Sequence, residues 1–445
     1  MRKVNIKFLI VFLLIVAVIG GGMVAVLKLK SDPSAKLLAD AREAEKAGEY
    51  DTAIENYRGY LGFNRDDQDV LCEAALVGNH CVAEDSISDS GQALPALRLM
   101  ARALRNSPRR NDIRRNLAQG LIAMGFLTQG SDGERTFFAE AQKEVQKLRV
   151  QKKDDPELDF MYAQCADKLE KLSESINVLE SIVGYQPSKG KFNDESARGL
   201  EMIEAYVLLA KIYRKRGRGR EDEVLADQVM DKMVERNADK GDAYLQRATY
   251  SQMFNKAGSY AQRLKRKEKI LADLQKSLSR NPDKLDVLME LVDQSIRGDD
   301  IQLAEEYLAH ARSVDPKDVR IYVQAARIER KRKNPEAELG AIKDGLKLLP
   351  GNRQLINLLF NAQLVEKQSA EAKKTIEDMR QLGFRPEWIA FSEAKILCLD
   401  EEWKEASSKL ELLRPQMNIF PTAMTHYLNH LLGRCYKAMG QPDRQ

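Results

Sequence analysis

Apolar and polar positions along this chain recur at helical spacing inside a longer period of 34 residues. Val292, Ala326, Phe360 and Ala394 share one phase of that period, Ala304, Glu338, Ala372 and Ala406 a second, and Leu308, Ile342, Ile376 and Leu410 a third. The second and third columns stand four residues apart, which puts them on one face of a helix. Small residues recur where two helices cross closely, and larger apolar residues fill the next turn. Pro282, Pro316 and Pro350 keep the same interval. Each closes a unit, because proline lacks an N–H and biases the residue before it away from helix. The pattern predicts a repeated pair of antiparallel helices. One such hairpin cannot bury its own apolar face, so the units must stack. Glu338 alone breaks the type of its column.

Copies of the unit run through most of the chain. Ala41 to Tyr60 with Gly48, Tyr50, Ala53 and Tyr57, Leu291 to Pro316, Ala394 to Leu413 with Trp403 and Ala406, and Leu432 to Gly440 with Tyr436 carry it most clearly. Looser copies fill the gaps. Ala96, Met100, Ala103 and Pro108 read as a second helix, Leu117, Ala118 and Leu121 as a first helix, and Tyr162 to Pro187 as a full unit. Leu209 to Gly217 pair with Ala226, Met230 and Met233, and Tyr244 and Ala248 pair with Ile270, Leu274 and Pro282 across a longer insertion.

A small pair in the first helix, an apolar residue ahead of the turn, a small residue in the second helix and a closing proline together resemble the tetratricopeptide repeat family. The resemblance covers roughly residues 34 to 445. It implies an all-α, right-handed superhelical solenoid of about ten stacked hairpins. Charged residues at 31% and aromatics at 7% suit amphipathic helices with little strand. A solenoid has no single core, so the length is not a count of domains.

Phe8 to Leu27 is a run of twenty residues without a charge. At 1.5 Å per helical residue it spans about 30 Å, the thickness of a bilayer core. Arg2, Lys3 and Lys7 precede it, and Lys28 and Lys30 follow with Asp32 close behind. That balance favours a cytoplasmic amino terminus and repeats across the membrane, in a periplasm if the host is bacterial. The expected organisation is residues 1–30 as a cytoplasmic stub and transmembrane signal-anchor, then residues 31–445 as the repeat solenoid. Gly20 and Gly22 leave signal-peptidase cleavage as the competing fate, whereas apolar residues continuing from Met23 to Leu27 favour retention.

Chemistry is sparse. Five cysteines, Cys72, Cys81, Cys165, Cys398 and Cys435, form no CxxC pair, which speaks against a zinc ribbon or a disulfide scaffold. Cys72 and Cys81 could bridge in an oxidising compartment, and the other three are expected to pack as small hydrophobes. His426 and His430 share a helix face at i, i+4 spacing, but Tyr427 stands where the HExxH motif needs glutamate. Gly217 and Gly219 lie in RKRGRGR, without the strand and helix that a phosphate loop requires. No nucleophile elbow is present. Neither catalysis nor a metal or other cofactor is expected.

Basic clusters are the remaining clue. Arg214, Lys215, Arg216, Arg218 and Arg220 fall at the turn inside one unit, and Arg327, Arg330, Lys331, Arg332 and Lys333 at the same turn of another. Arg263, Lys265, Arg266, Lys267 and Lys269 lie in the insertion, and Arg105, Arg109, Arg110, Arg114 and Arg115 at a junction between units. A net charge of +4 means that acids balance these runs elsewhere. They read either as solvated faces or as a basic rim for an anionic partner. No aromatic residues interleave them, so nucleic acid is not the expected partner. In the family that the repeats resemble, first-helix residues on the inner face form a peptide groove. By phase these are Arg327, Arg330 and Lys331, then Asn357, Asn361 and Leu364, then Phe391, Lys395 and Cys398. Such cationic and amide donors could hold an acidic or carboxy-terminal peptide.

Two insertions, acidic Ala83 to Gln92 and Lys, Gly and Asn-rich Pro187 to Glu195, read as mobile loops. Leu432 to Gly440 reads as a first helix and turn whose second helix is cut short, so the last repeat looks truncated. The reading that follows is a membrane-anchored scaffold binding partner proteins through its first-helix groove. The alternatives are the recognition arm of a larger enzyme, such as a glycosyltransferase, and a basic surface for anionic glycan, lipid or nucleic acid.

Overall fold

The computed structural model describes residues 33–83, 91–131, 133–254, 259–419 and 422–441. They fall into two compact units, divided between Asn237 and Ala238. Phe8 to Leu27 lies outside the described residues, and no described helix is long and apolar enough to cross a membrane.

In the first unit α1 (Pro33–Ala47) pairs with α2 (Tyr50–Phe63), α6 (Asn111–Leu127) with α7 (Glu134–Gln151), α8 (Pro156–Lys168) with α9 (Leu172–Val183), and α10 (Ile203–Arg216) with α11 (Arg220–Arg236). The second hairpin is irregular. Its first helix is split into α3 (Gln68–Val77) and α4 (Asn79–Val82) before the return along α5 (Ala93–Asn106). Most of the acidic insertion, residues 84–90, lies outside the described residues.

The second unit repeats the hairpin as α12 (Gly241–Met253) with α13 (Tyr260–Arg280), α14 (Leu285–Arg297) with α15 (Ile301–Val314), α16 (Val319–Lys331) with α17 (Pro335–Leu348), α18 (Arg353–Val365) with α19 (Ser369–Gln381), and α20 (Pro386–Leu399) with α21 (Trp403–Leu413). A last helix, α22 (Thr422–Ala438), packs on α21 and α20. It takes in Leu432 and Gly433 as the back half of a longer helix.

The columns legible in the sequence are the packed ones. Val292, Ala326, Phe360 and Ala394 are fully buried, as are Ala304, Ala372 and Ala406. Leu308, Ile342, Ile376 and Leu410 are buried beside them. Glu338, the exception, is buried too, with Arg330 donating to its carboxylate from Nε at 3.0 Å. Several helices start where a side-chain oxygen accepts from one of the first backbone N–H groups: Asp300 from Leu303, Asn334 from Ala337, Asn352 from Leu355. The closing prolines sit in the turns between hairpins, where the Tyr322 hydroxyl donates to the Pro316 carbonyl at 2.7 Å. Tyr206 and Tyr244 reach back six residues in the same way, to Leu200 and Ala238.

Two expectations need correction. Pro187 to Glu195 is no plain loop. Tyr185–Gln186 (β1) and Lys191–Phe192 (β2) pair antiparallel, and Arg236 holds the hairpin by donating to the Val183 carbonyl at 2.6 Å and to Asp194. Arg263 to Lys269 are helical, because Ser259 and Gln262 form a reciprocal capping box that starts α13 early. Cys72 and Cys81 are both free thiols.

Candidate functional site

Successive first helices of the second unit touch one another, α14 on α16, α16 on α18, α18 on α20 and α20 on α22. Four of their residues, Asp293, Arg327, Asn361 and Lys395, stand in one column 34 residues apart. They are bonded two by two. Arg327 donates to Asp293, which also accepts from Arg297 Nε at 2.8 Å. Lys395 Nζ donates to Asn361 Oδ1 at 2.6 Å, and Asn361 Nδ2 donates to the Asn357 carbonyl at 2.7 Å.

The two pairs differ in charge. Arg327 is neutralised by a carboxylate, whereas Lys395 faces only an amide oxygen and ring faces. Its ammonium lies 5.0 Å from the Phe360 centroid and 5.9 Å from those of Phe391 and Tyr427. Attraction to aromatic faces offsets part of the lost hydration. Burial nevertheless pulls the Lys395 amine down to about 8, and no carboxylate among the described residues pairs with it. An ammonium held this way is a ready partner for an incoming carboxylate, which would restore both a counter-charge and a charge-assisted hydrogen bond.

The other expected groove residues are engaged within the chain. Arg330 donates to Glu338, and Lys331 Nζ to Asp299 at 2.8 Å. Of the expected groove residues, the structure brings Asn357, Asn361 and Lys395 into one cluster and leaves Arg327, Arg330 and Lys331 each with its own acid.

The basic rim is largely spent in the same manner. Arg214 pairs with Asp227 at 2.7 Å, Lys215 with Asp167 at 3.0 Å, and Arg216 with buried Asp222. That guanidinium holds the Asp222 carboxyl below the usual range. The Arg218 backbone N–H donates to Asp222 as well, and the side chains of Arg218 and Arg220 are exposed. At the unit junction Arg110 pairs with Asp112, Arg114 with Glu144 and Arg115 with Glu157.

Tyr427 was not foreseen as part of the site. It comes from α22, and nothing in a 34-residue period marks an aromatic residue on an exposed face as a wall for a lysine on α20. Asp293 was legible, since it stands one period ahead of Arg327. His430 stacks on the Tyr427 ring at 6.4 Å rather than joining a metal cluster, and no group of three or more candidate ligands occurs among the described residues.

No protein-family model matches the chain, and no curated protein does. Among solved structures it is similar to a tetratricopeptide repeat protein from Parabacteroides merdae, at 16% identity and a TM-score of 0.44 over 62% of this chain and 98% of that one. It is similar to yeast Tom70 at 12% identity and a TM-score of 0.40, over 92% and 96% of the two chains. The C-terminal part of a repeat protein from Cytophaga hutchinsonii aligns at 18% identity and a TM-score of 0.39, over 66% and 98%. The description of this chain as a stack of helical hairpins rests on its own packing.

Proposed function

We propose that this chain is a helical-repeat scaffold that binds a partner protein through an acidic or carboxy-terminal peptide, seated at Lys395, Asn361 and Asn357. The observation that carries this reading is the half-buried Lys395 ammonium with no carboxylate beside it among the described residues. Arg327, Arg330 and Lys331 meet their acids within the fold, so they stiffen the stack beside the site. Preorganised helices reduce the ordering cost that an extended peptide brings. The apolar run Phe8 to Leu27 supports the further reading that the scaffold is tethered to a membrane, amino terminus in the cytoplasm and repeats on the far side.

The test is capture of partners by the full chain from detergent-solubilised envelope extract, alongside a variant carrying Lys395→Met and Asn361→Ala. One defined protein should be lost with the variant, and its carboxy-terminal or acidic peptide should compete for the native chain. Capture unchanged by the variant would sink the reading. Carbonate extraction tests the tether, and release of the intact chain into the soluble fraction would remove it.

A further inference from the structure

Cys398 on α20 and Cys435 on α22 bring their sulfurs within 3.6 Å of each other. Both lie inside the apolar cluster that seats α22 on α20 and α21, with Cys435 fully buried and Cys398 nearly so. They are 37 residues apart in the chain, an interval that carries no motif. We propose that Cys398 and Cys435 are a disulfide site that locks α22 onto α20, and with it the ring wall of the Lys395 pocket. The pocket half of this rests on the functional reading above. The disulfide half stands by itself.

The two helices joined by the sulfurs both line the Lys395 site, with α18 supplying Asn357, Phe360 and Asn361. Lys395 lies one turn before Cys398 on α20, with Phe391 a turn earlier again, and Tyr427 lies two turns before Cys435 on α22. Closing from 3.6 Å to a bond of about 2.05 Å asks for a movement of about 1.5 Å between the sulfurs. Beside that apolar cluster α22 is tied to α21 by Tyr436, whose hydroxyl donates to Glu411 at 2.6 Å, and local opening of a helix separates such contacts reversibly. A covalent tie between α20 and α22 removes that opening.

The chemistry is thiol–disulfide exchange with a small-molecule or protein disulfide as oxidant. One cysteine thiolate attacks a sulfur of the oxidant, forming a mixed disulfide and expelling one thiolate. The second cysteine, after losing its proton, attacks the cysteine sulfur of that mixed disulfide and expels the other. Two thiols thereby lose two electrons and two protons, and the oxidant leaves as two thiols. Burial pushes the Cys398 thiol up to about 12 and raises Cys435 also, while Arg434 opposes both shifts. Exchange in the closed state is therefore slow, and it proceeds when α22 opens and its thiol meets water.

The full chain, purified reduced, is equilibrated with mixtures of reduced and oxidised glutathione, denatured, alkylated and mapped by peptide mass spectrometry. A Cys398 to Cys435 link should accumulate while Cys72, Cys81 and Cys165 stay alkylated. Oxidation should raise the melting temperature by several degrees, a gain absent from Cys398→Ala and from Cys435→Ala. It should also slow acetylation of Lys395 by acetic anhydride several-fold. Two alkylated thiols at every glutathione ratio, or either cysteine linked elsewhere, overturns the disulfide, and that result needs no variant to fold. A link formed with Lys395 acetylated at the same rate in both states overturns the lock on the pocket. Loss of partner binding in Lys395→Met is a separate matter, since the link must form in that variant as in the native chain.

Discussion

Arg330 on α16 donates to Glu338 on α17 from Nε at 3.0 Å, and Glu338 is only 6% exposed in a column otherwise made of alanine. A carboxylate is tolerated there because a guanidinium follows it in, whereas a buried charge without a partner is costly. The pair is lopsided, since the Arg330 side chain is 54% exposed. Arg330→Met should therefore lower stability by about 2 kcal/mol by stranding the carboxylate. Glu338→Ala should cost less than about 1 kcal/mol, because Arg330 returns to water. Urea midpoints of the two variants decide it, and equal losses would reduce the pair to an ordinary surface contact.

The turn inside each hairpin carries strain at a fixed phase. Asp299, Lys333, Lys367 and Glu401 stand 34 residues apart and all have left-handed backbone, with φ of 67°, 57°, 57° and 63°. Glycine adopts that conformation without a Cβ clash, and other residues pay about 1 kcal/mol. Lys367→Gly should raise stability by about 0.5 to 1 kcal/mol once the looser unfolded chain is allowed for. Lys367→Val should lower it. Thermal unfolding of the two variants against the native chain makes the comparison, and the reverse order would mean that the turn is not held in this form.

Gly184 shows the same conformation where nothing else fits. Its φ is +69°, and a Cβ there would come 2.4 Å from the Asn193 carbonyl oxygen and 2.6 Å from Ala197 Cβ. The Asn193 N–H donates to the Gly184 carbonyl at 2.8 Å, so the clash would break the root of the β1–β2 hairpin. Gly184→Ala is expected to cost about 2 kcal/mol or more. Hydrogen exchange should speed up at Asn193 and Gly199 first, and a variant with native protection there would contradict the geometry.

The 34-residue period was readable because packing depends on it. Ala304 and its sister residues are small since a second helix crosses there, and that demand recurs in each unit. Polar pairing follows no such rule. Arg216 meets Asp222 in the next helix, Arg327 meets Asp293 a full period earlier, and Arg332 meets Glu305 after 27 residues. A run of basic residues looks the same in sequence whether its acids are near or far, so the clusters suggested a rim that the fold mostly neutralises. The Lys395 column was visible by phase, but its want of a carboxylate emerged only when α22 closed over it with an aromatic ring. The contact between Cys398 and Cys435 is of the same kind, set by how α22 docks.

Lys395 also gives a signature in pH. Its amine sits at about 8 in the folded chain against 10.5 when unfolded, lowered by burial. Between those values the unfolded chain holds a proton that the folded chain has released, so this group makes stability rise with pH across that window. Below pH 8 both states are protonated and the folded state carries the full cost of a desolvated ammonium. Above 10.5 neither is charged and the cost is gone. Thiols and tyrosines titrate in the same range, so the effect is read as a difference between the native chain and Lys395→Met. At pH 7 the methionine variant should be the more stable by about 2 kcal/mol, after a discount for the partly solvated end of the lysine. By pH 10 that advantage should have nearly vanished. Urea unfolding of both chains at pH 7, 8, 9 and 10 gives the gap directly. A gap that stays constant across the series would mean that water reaches the ammonium freely, and the carboxylate site proposed around it would lose its physical basis.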